Sequence, residues 1–125
     1  MKNITLYHFS NADIKRQIKT SFYGENFYSK NDFNCTYHKR TFFYTQTENI
    51  EYIFKRSKYY YEVNYPSSLI YDLIIDKFNF KRYAPDIDKI LSKIKQKYYK
   101  GVKYRIGNIE IVNLFYDIKF TKKKE

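Results

Sequence analysis

The sequence predicts one α+β domain with a curved, mostly antiparallel β-sheet flanked by short helices. Three observations predict it. The chain has 125 residues, the size of a single domain, and 43% of them are apolar, enough for one core without disulfide or metal staples. Runs rich in Phe, Tyr, Thr and Val that alternate with polar residues are separated by apolar residues at helical spacing. The longest strand-like run, residues 109–120, follows a Gly107-Asn108 turn that folds it back on residues 102–106.

The elements follow in the order β-α-loop-β-α-β-α-α-β-β. Residues 3–9 read as a first strand, after which Ser10 or Asn11 can cap a short helix carrying Ala12, Ile14 and Ile18. Residues 19–40 read as a long loop held down by aromatic anchors, among them Phe22, Tyr23, Phe27, Tyr28 and Phe33. Long ordered loops in small domains tend to be functional. Residues 40–45 form a second strand, and Thr47 fits the cap of a helix carrying Ile50, Ile53 and Phe54. Residues 58–65 form a third strand that Pro66 ends.

Leu69, Ile70, Leu73, Ile74 and Phe78 make a helical stripe. Pro85 and Asp86 open a further helix with a buried face of Ile87, Ile90, Leu91, Ile94 and Tyr98, and Gly101 stands at a plausible C-terminal cap. In the last run Val112, Leu114, Tyr116, Ile118 and Phe120 share one face and Ile109, Ile111 and Phe115 the other, so this strand is expected to be central and covered on both sides. Residues 1–121 are thus expected to be one domain, with residues 122–125 a frayed basic tail.

The net charge is +11, with 24 Lys and Arg against 13 acids. That balance favours anionic partners, although an AT-rich genome also produces an excess of Lys, Asn, Ile, Tyr and Phe. Cys35 is the single cysteine, which excludes an internal disulfide and a cysteine metal site and suits a reducing, cytoplasmic setting. No stretch approaches about 18 apolar residues, and the N-terminus lacks the pattern of a secretory signal, so neither a membrane span nor export is expected.

The catalytic inventory is small. There is no His/Cys/Asp cluster with metal spacing, no Walker loop and no dinucleotide-binding glycine pattern. His8 and Ser10 lie two apart at the end of the first strand, so both can line one cleft. Tyr44, followed by Thr45, can present a flat ring for stacking and a hydroxyl for positioning. Glu110, beside the Gly107-Asn108 turn, can bond a ribose hydroxyl or stabilise a developing positive charge. Each of these also fits an ordinary structural role. Residues 89–105 hold Lys89, Lys93, Lys95, Lys97, Lys100, Lys103 and Arg105 with no acid among them, interleaved with Tyr98, Tyr99 and Tyr104 that could stack on bases.

Three pieces together resemble the ADP-ribosyltransferase fold family. The strand Leu6-Tyr7-His8-Phe9-Ser10 is similar to the first motif, and Thr41-Phe42-Phe43-Tyr44-Thr45, followed by Tyr61-Glu62-Val63, is similar to the middle one. Tyr99-Lys100-Gly101-Val102-Lys103-Tyr104 with Glu110-Ile111-Val112-Asn113-Leu114-Phe115 is similar to the end of small phage and bacterial members. The resemblance implies NAD as substrate and no metal. It implies that His8 and Ser10 bind the nicotinamide-side ribose and amide, that Tyr44 stacks on nicotinamide, and that Glu110 is the catalytic carboxylate. Tyr28-Ser29 competes with Tyr44-Thr45 for the second motif, and the glutamate position could slip to Asn108 or Asn113. Phe9 stands where many members carry glycine.

Three functions are therefore expected in order. The first is an NAD-dependent ADP-ribosyltransferase, a phage or bacterial toxin or anti-defence effector acting on a host or defence-system protein or nucleic acid. The second is a non-enzymatic basic protein that docks on nucleic acid or a nucleoprotein complex, with Lys93, Lys97, Lys100, Lys103 and Arg105 as its contacts. The third is a small metal-independent ribonuclease using His8 or His38.

Overall fold

The computed structural model describes residues 2–20, 38–47 and 57–124. Among them are nine strands and one α-helix: β1 (Asn3–Ser10), β2 (Gln17–Ile18), β3 (Thr41–Tyr44), β4 (Tyr59–Pro66), β5 (Ile70–Asp72), α1 (Ile87–Gln96), β6 (Gly101–Ile106), β7 (Ile109–Leu114), β8 (Ile118–Lys119) and β9 (Lys122–Lys124). Seven strands form one open sheet in the order β5-β6-β7-β3-β1-β4-β9, and β2 pairs with β8 in a separate ribbon. Every pairing in the large sheet is antiparallel except that of β5 with β6. A parallel pair needs a crossover, and residues 73–100, with α1 at their centre, supply it.

β7 is the middle of this arrangement. Ile111 packs into a core on one face with Tyr44, Tyr71, Val102, Tyr104 and the buried side of α1. Val112 and Leu114 pack into a second core on the other face with Leu6, Ile18, Phe43, Tyr61 and Val63. The expectation of a strand covered on both sides is met over its first half. The run does not continue to residue 120, because bends at Phe115 and Tyr116 carry the chain out of the sheet to β8, which pairs with β2. The Gly107-Asn108 hairpin is as expected: Ile106 pairs with Ile109, and Gly107 has φ 61°.

Several sequence expectations are corrected. The stretch after Ser10 is not a helix. Ser10 Oγ accepts from Ala12 N at 3.0 Å, a local turn that competes with a helical cap. The Tyr61 hydroxyl then donates to Ala12 O at 2.7 Å and accepts from Ile14 N at 2.8 Å, taking up backbone groups that a helix would use. The apolar stripe at residues 69–78 is not a helix either. Ile70 and Tyr71 pair with Gly101 and Val102, and the Asp72 carboxylate accepts from Ile74 N and Ile75 N. Asp76, at φ 55°, accepts from Tyr71 Oη, Phe80 N and Lys81 N and closes the turn. Lys122–Lys124, expected to fray, pairs with Tyr60, Tyr61 and Glu62. The helix expected after Thr47 and most of the long loop, Tyr28 included, lie outside the described residues.

The helix opened by Asp86 is present: its carboxylate accepts from Lys89 N at 3.1 Å. Gly101 is not its cap. The helix ends at Gln96, and Tyr98, with φ 67°, takes the left-handed position that glycine usually fills. Gly101 instead lies where β6 crosses close to β7. A Cβ there would collide with Asn113 O and stand 2.7 Å from Leu114 Cδ2. Gly101→Ala is therefore expected to destabilise the fold by about 2 kcal/mol, as overpacking against backbone does. Urea unfolding checks this, and an unchanged midpoint would contradict the close approach.

Candidate nucleic-acid interface

The residues expected to form an NAD site are divided by the sheet. His8 projects onto the face of the second core, where its ring meets Phe43 at 5.8 Å and Tyr61 at 6.2 Å. Its Nδ1 lies 2.7 Å from Phe42 O, which makes it the donor in that bond. Burial holds the imidazole below its ordinary pKa, against the raising effect of that bond. Ser10 is engaged by Ala12 N. Glu110 lies on the same face as His8, but on β7, two strands from β1 and so about 10 Å away in the pairing direction. It is held by its neighbours: Arg105 Nη2 at 3.1 Å, Lys103 Nζ at 3.9 Å and Thr45 Oγ1 at 3.3 Å. Tyr44 points the other way. It is 7% exposed, belongs to the first core and packs on Phe9 at 5.6 Å. His8, Tyr44 and Glu110 thus do not share a cleft.

The basic segment is divided by the same sheet. Lys103 and Arg105 lie on the Glu110 face, and Lys103 also pairs with Asp72 at 3.4 Å. Both are removed from the expected patch, because alternation along β6 sends them away from α1. Lys95 is removed for a different reason: it turns inward to His38 Nδ1, 2.7 Å away, and over the Phe115 ring. Lys89, Lys93 and Lys97 remain on the outer side of α1, with Lys100 just beyond it.

The fold adds cations that the sequence reading missed. Arg82 and Tyr83 lie in the short 3-10 helix Phe80–Tyr83, which packs beside α1. Arg82 Cζ, Lys89 Nζ and Lys93 Nζ all lie over the Tyr83 ring, at 4.7, 4.7 and 5.7 Å from its centroid. Arg82 Nη2 also donates to the Tyr83 hydroxyl at 3.0 Å. That bond, with the charges of Arg82, Lys93 and Lys89, holds the phenol below its ordinary pKa. A second ring, Phe78, has Lys97 Nζ at 4.9 Å and Lys77 Nζ at 5.4 Å. The signal was present in the run Lys77-Phe78-Asn79-Phe80-Lys81-Arg82-Tyr83, but an apolar stripe read as helix concealed it.

On the flank of α1, His38 Nε2 lies 3.3 Å from Ser92 Oγ and 3.8 Å from an Asp88 oxygen. This is not a nucleophile relay. A relay needs the carboxylate on the ring nitrogen opposite the serine, whereas here Asp88 and Ser92 share Nε2 and Lys95 occupies Nδ1. Burial and then Lys95 lower the His38 pKa, and burial and then Arg40 lower that of Lys95. His8 and His38 lie on opposite faces of the sheet and form no two-histidine site. Among the described residues no group of three His, Cys, Asp or Glu side chains could hold a metal ion. No helix among them is long and apolar enough to cross a membrane.

The lowered pKa of His8 sets a pH dependence. An unfolded histidine takes up its proton near pH 6.5, and the folded chain resists doing so. Stability is therefore full above about pH 6.5 and falls below it, with His38 acting in the same direction. Thermal unfolding followed from about pH 7.5 to about pH 5 is expected to show this loss. It should be shallower in His8→Asn, whose amide can still donate to Phe42 O; an equal slope in that variant would remove His8 as a cause. Compared with protein-family models, curated proteins and solved structures, the chain matches none.

Proposed function

We propose that the protein is a non-enzymatic nucleic-acid-binding protein that docks through the outer side of α1 and the turn before it. One observation carries this reading: the segregation of charge. Lys77, Lys81, Arg82, Lys89, Lys93, Lys97 and Lys100 make no ion pair among the described residues. Asp88, in the first turn of α1, lies 3.8 Å from His38 Nε2, and the other ion-paired acids serve cations outside this group. Asp13 pairs with Lys15 and Lys123, Glu62 with Lys124, Asp72 and Glu110 with Lys103, Glu110 with Arg105, and Asp117 with Lys19. Asp76 is turned into its own loop, where burial opposes its charge but the bonds from Tyr71, Lys81 N and Phe80 N prevail and lower its pKa. Asp86 and Asp88 lie at the start of α1 and the charge of Lys81 acts on Asp76, yet these seven cations outnumber the acids beside them. An excess of cations set against aromatic rings suits a phosphate backbone, which releases its counterions on binding.

Affinity is expected to fall steeply with salt. Lys93→Ala should weaken binding evenly across sequences and reduce the slope of log K against log salt by about 1. Lys103→Ala, on the other face, should leave that slope unchanged. Fluorescence anisotropy with a labelled oligonucleotide measures both, and binding that is flat from low to high salt would sink the proposal.

A second reading, ADP-ribosyl transfer from NAD on an ADP-ribosyltransferase-like fold, draws support from the shared face of His8 and Glu110. With Tyr44 on the other face, nicotinamide would need a different ring to stack on. Incubation of a lysate with labelled NAD separates the readings. Transfer that is lost in Glu110→Ala favours the enzyme, and no transfer favours the binding protein.

A further inference from the structure

We propose that the nucleic acid bound at this face is single-stranded, and that the Tyr98 ring stacks on one of its bases. This rests on the reading of the face as a nucleic-acid interface and names the kind of nucleic acid it takes. Tyr98 is 87% exposed, and it follows Lys97 directly at the end of α1. Its neighbour Tyr99 turns inward and meets the Tyr71 ring at 5.2 Å. Two adjacent tyrosines thus serve opposite ends: one completes the core and the other stands in water.

The backbone makes the exposed ring more informative. Tyr98 has φ 67°, in the left-handed region where a bulky side chain is an outlier and glycine is the favoured residue. The Tyr98 amide contributes to the helix end by donating to Lys95 O at 2.9 Å, which any residue could do. Among the described residues its ring makes no hydrogen bond and no ring contact. The side chain is therefore unfavourable for the backbone and gives the described fold nothing in return. Outliers of this kind collect at sites of binding.

The surroundings fit a strand with unpaired bases. Lys97 and Lys77 lie over Phe78, next to the same turn, and can meet the phosphates flanking a base held at Tyr98. Tyr83 is not the stacking platform, because Arg82, Lys89 and Lys93 already lie over its ring. In a duplex the faces of the bases are covered by their neighbours, so a protruding ring finds only edges and phosphates. In a single strand every base offers its face, and stacking on an aromatic ring tolerates any sequence.

The test compares labelled oligonucleotides of equal length, one single-stranded and one duplex, with polyglutamate as an acidic control. The proteins are the wild type, Tyr98→Gly and Tyr98→Phe. The expected result is tighter binding of the single strand, weakened about tenfold in Tyr98→Gly and retained in Tyr98→Phe. Duplex binding and the salt slope stay the same in all three. Tyr98→Gly should also unfold at a higher denaturant concentration, since glycine suits the left-handed backbone, so a loss of binding there is not a loss of folding. Equal affinity for duplex, or single-strand affinity unaffected by Tyr98→Gly, would overturn the stacking proposal and leave the interface standing. No binding of either oligonucleotide, or equal binding of polyglutamate, would reject the interface and the stacking together.

Discussion

Val112 and Leu114 press into one core while Ile111, paired with Tyr44, presses into the other. This double burial of β7 is the constraint on which the rest of the molecule depends. A strand covered on both faces can carry no charged side chain along its middle, and the one polar residue there, Asn113, is fully buried and accepts from Arg40 Nη1 at 2.7 Å. That bond lies beside the pairing of β3 with β7. The close approach of β6 at Gly101 is a further consequence, since two backbones pack tightly only where no Cβ intervenes. Around this centre the two faces are finished differently, by α1 and its preceding turn on one side and by the β2–β8 ribbon with neighbouring apolar residues on the other.

The same division separates the charges. Along β6, Val102 and Tyr104 enter the core under α1, so Lys103 and Arg105 emerge opposite and meet Asp72 and Glu110. On the α1 side the helix buries Ile87, Ile90, Leu91 and Ile94, and its outer side carries Lys89 and Lys93 with Asp88 in the first turn and Gln96 at the end. The aromatic rings of Tyr83 and Phe78 hold those cations close together without neutralising them. Exposed cation–ring contacts of this kind are individually weak. They limit the side-chain entropy that would otherwise be lost when a phosphate arrives.

Legibility followed the range of the interactions involved. The Asp86 cap, the α1 stripe from Ile87 to Ile94, the Gly107-Asn108 hairpin and the strand at residues 59–66 are local features and could be read from neighbouring residues. Tyr98, expected as the last member of that stripe, is instead 87% exposed, because the helix ends at Gln96 and the chain turns there. The segments at 11–18 and 69–78 were misread because distant groups decide them. The Tyr61 hydroxyl reaches back 49 residues to Ala12 O, and β5 forms by pairing with β6 across the whole crossover. Lys122–Lys124 looks like a tail by composition and becomes a strand only because β4 offers an edge. The candidate site shows the same pattern. The basic character of α1 was visible in its lysines, whereas the contribution of Arg82, Tyr83 and Lys77 required the turn to fold against the helix.

By itself the sequence determined that this is a basic, aromatic-rich chain built on paired strands, with one well-capped amphipathic helix whose outer side is cationic. Those properties are set by composition and by periods of two and 3.6, which need no partner to be recognised. Only the tertiary structure decided which side chains face together. It placed His8 and Tyr44 on opposite faces, withdrew Lys95, Lys103 and Arg105 from the basic surface, and assigned the left-handed position to Tyr98 and not to Gly101. The physical reason is that a strand reverses its facing at every residue. Which of the two faces meets the helix is settled by pairing between strands far apart in the chain, and that pairing leaves no mark on either strand alone.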